Sequence, residues 1–404
     1  MKIGHDFTTQ EIIELDLDTI RRHIYSVGKS GTGKSVLLQN MAINLVSQHG
    51  IALFDPHGST ARTVADHCDP SHTVYFDATN LAYSVGYNPL IGIAKDDRPT
   101  AAENILSSFA HVWNLGPQTP SLLYILRNVV LLLLDSPTPS LLNINRTLTD
   151  KTYRTQLLKH CTNPAVIAYW TGEFSNMPDR LREERIASVL NKSGVFVSNP
   201  YLRNVLGQSK TLDLANLMDN GVSFIANLSR GKLGDEPSSL LGSLLTTGFA
   251  QAAYSREGRD EETLTDYTLI VDEFQRFTSG VFAELLAEAR KYRLSLIMAH
   301  QYLSQLSEEL QDAVIGTANT TISFRIGAKD ARIISETLDV PESDLKDLPN
   351  FRARIKTVDG GVPGNARLLV TNPPLPPGGR LGAVIEHTRY RHSRPRSEIE
   401  SEIR

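Results

Sequence analysis

The sequence predicts an α/β fold with a mainly parallel sheet, interrupted by an all-α insertion. Three observations lead there. Gly28-Lys29-Ser30-Gly31-Thr32-Gly33-Lys34-Ser35 fits G-x-x-x-x-G-K-[ST], a phosphate-cradling loop. The run Ile24-Tyr25-Ser26-Val27 before it is β-branched and aromatic, and Val36, Leu37, Met41, Ile43, Leu45 and Val46 after it recur at helical spacing. Far downstream, the apolar run Tyr267-Thr268-Leu269-Ile270-Val271 ends on Asp272-Glu273, as the second half of such a nucleotide site requires. From about 95 to 215, by contrast, strand signals vanish and helical periodicity takes over.

The loop implies ATP and Mg²⁺. Gly28, Gly31 and Gly33 let the backbone wrap close to an anion, and the amides around Ser30 and Thr32 point at it together with the helix N-terminus. Lys34 is placed to reach the β- and γ-phosphates, and the Ser35 hydroxyl to sit on Mg²⁺. Asp272 is expected to hold the metal through water, and Glu273 to polarise the attacking water as general base.

The totals bound the alternatives. Forty-one cations against forty-five acids leave a net charge of −4, so no global basic field exists and nucleic acid must meet local patches. Cys68 and Cys161 form neither a disulfide framework nor a metal pattern, which fits a reducing cytoplasm. The N-terminus is polar and acidic, unlike a signal peptide. The apolar stretch 122–134 is interrupted by Arg127 and Asn128 and falls short of the ~20 residues a bilayer needs, so no intrinsic membrane span is expected.

In chain order, 1–23 reads as an opening hairpin or cover. A buried strand at 50–54 ends in Asp55-Pro56-His57-Gly58-Ser59, which is either a ligand-contacting strand tip or a plain turn. Helices are expected at 98–113, 119–135, 139–147, 151–159, 163–174, 178–193 and 199–206. Strands return at 222–228, 267–271, 294–299, 320–326 and 352–358, with helices at 236–256, 280–292 and 329–338. The pair His300-Gln301 at a strand tip either senses a γ-phosphate or is simply polar. Arg325 is out of place in a core strand, and is either an edge charge or a reach toward a neighbouring subunit. The domain boundaries are 1–95, 96–215, 216–370, and a Pro/Arg-rich flexible tail at 371–404.

The ordered set GKSGTGKS, FDPHGS, YNPL at 87–90, LIVDEF at 269–274, EARKYRLSLIMAHQYLSQL at 288–306 and SFR at 323–325 resembles ATPases of the HerA/FtsK superfamily. The pattern is most similar to the TraG/TraD-like coupling ATPases of conjugation and type IV secretion. The resemblance implies a RecA-like core assembling as a homohexameric ring that uses ATP to move single- or double-stranded DNA through its channel. It makes Gln301 a sensor and gives an arginine a role across the subunit interface, with Arg290 and Arg325 both open. A relaxase-like, nuclease or secretion-channel protein is the implied partner. Two departures stand out: Ser59 occupies a place where an acid is common, and the chain starts about two dozen residues before the P-loop, with no room for the usual anchor. Either another protein supplies the anchor and recruits the chain to the inner membrane, or the chain is a soluble orphan motor. The competing reading is an ATP-regulated assembly or scaffold protein that controls a partner without moving DNA. A small-molecule kinase is disfavoured by the distance to the acid strand.

Overall fold

The computed structural model describes residues 1–278, 280–359 and 362–403. Its centre is an 11-stranded sheet. From one edge the order is Ile12–Glu14, Lys2–Asp6, Arg367–Thr371, Arg352–Lys356, Thr320–Ser323, Ile24–Val27, Leu294–His300, Tyr267–Asp272, Gly50–Asp55, Ser223–Asn227 and Thr73–Asp77. The strands from Thr320–Ser323 to Thr73–Asp77 run parallel, and those on the other side pair antiparallel. The expected mainly parallel sheet is therefore present.

The central strands are buried on both faces, which is why they read as continuous apolar runs rather than alternations. Successive residues still point to opposite sides. Leu269, Val271, Leu296 and Met298 join one apolar cluster, while Ile270, Ile297 and Ala299 join the other. The first cluster runs on without a break into the helical segment, reaching Trp113, Trp170 and Phe196. The segment expected as a separate all-α domain thus shares a core with one face of the sheet. Its helices Arg98–Trp113, Pro120–Leu134, Lys151–Leu158, Asp179–Ser198 and Pro200–Leu206 lie close to the expected positions. The stretch 163–174 splits into Pro164–Ala168 and a π-helical turn, Tyr169–Glu173.

The flexible tail is a correction. Helix Leu381–His392 lies along the edge strand Thr73–Asp77, Ser393–Pro395 pairs with Tyr83–Val85, and helix Arg396–Ile403 follows. Val384 and Ile399 are fully buried. The arginines that suggested a solvated tail have partners: Arg389 stacks over the Tyr83 ring at 3.5 Å, and Arg396 pairs with Glu400 at 2.7 Å. Strand Arg367–Thr371 and helix Glu308–Thr317 were not expected. No helix among the described residues is long and apolar enough to cross a membrane.

Candidate nucleotide site

The site forms where the parallel strands end. Ile24–Val27 is wholly buried and delivers Gly28, where a Cβ would stand 2.5 Å from Cβ of Phe324. Gly31 and Gly33 have φ of +77° and +117°, a conformation that costs glycine little. Helix Lys34–Leu45 then begins with its free amides facing the loop. Neighbouring strands fix the loop through main-chain bonds. The Gly28 amide donates to His300 O at 3.3 Å, Lys29 N to Arg325 O at 2.9 Å, and Phe351 N to Thr32 O at 2.8 Å. The Thr32 hydroxyl donates inward to Lys29 O at 2.7 Å, whereas Ser30, Gly31 and Ser35 are exposed.

Lys34 is buried, and its ammonium donates to the carbonyls of Gly28 and Lys29. Burial lowers its pKa, and the negative field of Asp272 and Glu273 opposes that shift. Asp272 ends the strand two places from the P-loop strand and is 3% exposed. Its carboxylate accepts from the Glu273 amide at 3.0 Å. Burial, then Glu273 and Asp55, push its pKa up to about 7, with Lys34 pulling the other way. A buried carboxylate so poorly compensated fits a divalent cation, with the exposed Ser35 hydroxyl as a second oxygen donor. No cluster of three or more His, Cys, Asp or Glu able to hold a metal alone exists among the described residues.

Glu273 follows with left-handed backbone, φ 50° and ψ 49°, a strained conformation of the kind that collects at functional sites. Both of its oxygens are occupied. Gln301 Nε2 donates to Oε1 at 2.8 Å, and Gln275 Nε2 donates to Oε2 at 2.7 Å. Gln301 arrives from strand Leu294–His300, which lies between the P-loop strand and the acid strand. Buried His300 packs between Tyr25 and Phe274, 5.4 and 5.0 Å away, and burial lowers its pKa to about 3.

Of the residues read from sequence, Gly28 to Ser35, Asp272, Glu273 and Gln301 come together here. Asp55 acts locally: its carboxylate accepts from the amides of His57 at 2.7 Å and Ala61 at 2.9 Å, starting helix Ser59–Ala65. Arg325 lies just beyond its strand, which stops at Ser323. Its main chain touches the P-loop, but its guanidinium turns to Leu348 O and Asn350 Oδ1 at 3.3 and 3.1 Å. Arg290 sits before strand Leu294–His300, at the opposite end of the sheet, 3.8 Å from Asp18. The structure adds one residue the sequence reading missed, Gln275, whose only signal was its place two residues after Glu273.

The fold is α/β and RecA-like, with the P-loop following a central parallel strand. The chain is similar in fold to conjugative coupling proteins over most of its length, and residues 266–339 also match the family model described as the TraM recognition site of TraD and TraG. That match spans the acid strand, Gln301 and Arg325. The bacterial conjugative coupling protein TrwBdeltaN70, unbound monoclinic form, aligns with TM-score 0.63 and 16% identity over 90% of this chain and 87% of that one. Plasmid coupling protein TrwB in complex with ADP and Mg²⁺ aligns with TM-score 0.62 and 16% identity, covering 89% of each chain. VirB4 of Thermoanaerobacter pseudethanolicus aligns with TM-score 0.63 and 13% identity over 92% of this chain and 96% of that one. No curated protein sequence matches the chain.

Proposed function

We propose that this chain is an ATP-hydrolysing ring motor that binds and translocates DNA, in the manner of a conjugative coupling ATPase. The observation that carries the reading is the meeting of Lys34, Asp272, Glu273 and Gln301 at neighbouring strand ends, in the fold of TrwB and VirB4. Lys34 and the loop amides of Gly28 to Ser35 bind the phosphates. Ser35 and Asp272 hold Mg²⁺, which supplies charge neutralisation on the phosphates. Glu273 takes the proton of the attacking water, and Gln301 orients Glu273 while the site is empty of phosphate. An arginine of a neighbouring copy completes the site in a homohexamer. Arg290 and Arg325 are both open for that role: within the chain Arg290 pairs with Asp18 and Arg325 with Leu348 O and Asn350. The protein works on the cytoplasmic face, with a partner supplying any attachment to the inner membrane.

The alternative, an ATPase whose assembly is set by a protein partner without DNA movement, is favoured by one observation. Residues 266–339 match a family model that is described by recognition of a protein, TraM. Turnover of ATP with and without single- and double-stranded DNA separates the two, run on wild type, Lys34→Ala and Glu273→Gln. Stimulation by DNA, abolished in both variants, supports the motor. Turnover that ignores DNA at every salt concentration supports the partner-regulated form.

A further inference from the structure

The turn after Glu273 is fastened from two directions. Within the turn, Phe274 and Phe277 are fully buried, Phe274 stacking on Phe282 at 5.8 Å. Gln275 spends its amide NH₂ on Glu273 Oε2, and its own oxygen is buried without a hydrogen-bond partner. From outside, helix Arg98–Trp113 of the helical segment reaches the turn and the start of helix Gly280–Glu288 that follows it. Ser107 Oγ accepts from Gly280 N at 2.9 Å, and the His111 ring faces the main-chain carbonyls of Gln275 and Arg276. That helix is itself pinned, since Trp113 Nε1 donates to Glu236 at 2.7 Å.

We propose that Gln275 is a positioning residue for Glu273, and that Ser107 and His111 hold its turn, so that force on the helical segment reaches the Glu273 carboxylate. This rests on Glu273 being the general base. The two amides on Glu273 are not equivalent. Gln301 stands at a strand tip facing the P-loop and can turn to a bound nucleotide, which releases Oε1. Gln275 belongs to the turn itself and keeps Oε2, so the carboxylate stays aimed while its freed oxygen meets water. Without Gln275 the carboxylate rotates freely once Gln301 leaves. Chemistry then slows, and nucleotide binding, which uses the P-loop, does not change.

The test is steady-state ATP turnover and nucleotide affinity on the full chain for wild type, Gln275→Ala, Ser107→Ala and His111→Ala. His160→Ala, an exposed change elsewhere in the helical segment, serves as control. Gln275→Ala should lower kcat roughly tenfold at unchanged KM and affinity. Ser107→Ala and His111→Ala should lower kcat by smaller factors of the same kind, and Gln275→Ala combined with Ser107→Ala should lose little more than Gln275→Ala alone. A Gln275→Ala protein with kcat within about twofold of wild type, or with KM rising in step with the loss, overturns the proposal. Amide exchange over 274–278, read on the same proteins, should quicken in Ser107→Ala and His111→Ala. Unchanged exchange shows that the helical segment does not hold the turn. If wild type turns over no ATP, the proposed function falls, while the exchange result still decides whether the segment holds the turn.

Discussion

Gly242 lies directly under the ring of Phe277: a Cβ at position 242 would stand 2.1 Å from Cδ1 and 2.4 Å from Cε1. The glycine sits inside helix Asp235–Tyr254, where alanine would ordinarily favour the helix by about 1 kcal/mol. Here space overrules propensity, because Phe277 also meets Phe54 edge-on at 6.2 Å and has nowhere to retreat. Gly242→Ala should cost about 1–3 kcal/mol in chemical denaturation. Adding Phe277→Leu should return part of that loss. A Gly242→Ala protein as stable as wild type would show that the ring moves freely.

His23 should make the protein acid-sensitive. Its Nδ1 accepts from the Leu296 amide at 3.1 Å, which leaves Nε2–H to donate to Leu286 O at 3.1 Å. Protonating Nδ1 would set a proton against the Leu296 N–H. Burial, with Arg290 adding to it, lowers the pKa from 6.5 to about 4. Between those values the unfolded chain binds a proton that the folded chain refuses, so stability is complete above about pH 6.5 and falls as pH drops toward 4. The loss reaches about 3 kcal/mol. His23→Gln should reduce the slope of unfolding free energy against pH by one proton in that window, leaving the similar contribution of His300. An unchanged slope would count against this assignment.

Arg256 is 1% exposed and carries its charge into the interior. It meets Asp219 at 3.0 Å, Tyr292 O at 2.8 Å and Thr265 O at 3.1 Å, tying the end of helix Asp235–Tyr254 to the starts of the central strands. Arg256→Met keeps the bulk but strands two carbonyls. It should cost about 2–4 kcal/mol in thermal or denaturant unfolding, with no change in nucleotide affinity.

Ile399 tests whether the tail belongs to the fold. It is fully buried in helix Arg396–Ile403, and Arg203 joins that helix to the helical segment through Glu400 at 3.3 Å. Ile399→Ala should cost about 2–4 kcal/mol if the helix unfolds with the whole. A cost near zero, with rapid amide exchange confined to the tail, would instead mark it as independently labile.

The P-loop and the acid strand were legible because each signal is local: glycine spacing in one, an apolar run closed by two acids in the other. Helix Arg98–Trp113 matched its expected bounds because its apolar spacing is continuous. Strand Arg367–Thr371 was hidden because its residues are mostly half-buried and its neighbours, Lys2–Asp6 and Arg352–Lys356, are set by tertiary contact. Over 387–396 the tail carries arginines and histidines without an acid, so its charge looks uncompensated. The acids that neutralise its arginines, Glu398, Glu400 and Glu402, follow immediately. Gln275 and the guanidinium of Arg325 could not be read at all, since their roles depend on how a turn and a strand end are aimed.

The order of the sheet also dictates when the protein can come alive during synthesis. Both neighbours of the P-loop strand, Leu294–His300 and Thr320–Ser323, are made late, whereas the acid strand can pair earlier with Gly50–Asp55. A nascent chain that has emerged only to the acid strand therefore has its P-loop strand unflanked, and its apolar surface needs protection on the ribosome. Strand Leu294–His300, made after the acid strand, slides between the two halves of the nucleotide site and brings Gln301 with it. The P-loop gains its last main-chain supports only when Arg325 and Phe351 have followed, so the nucleotide site is among the later parts of the fold to be completed.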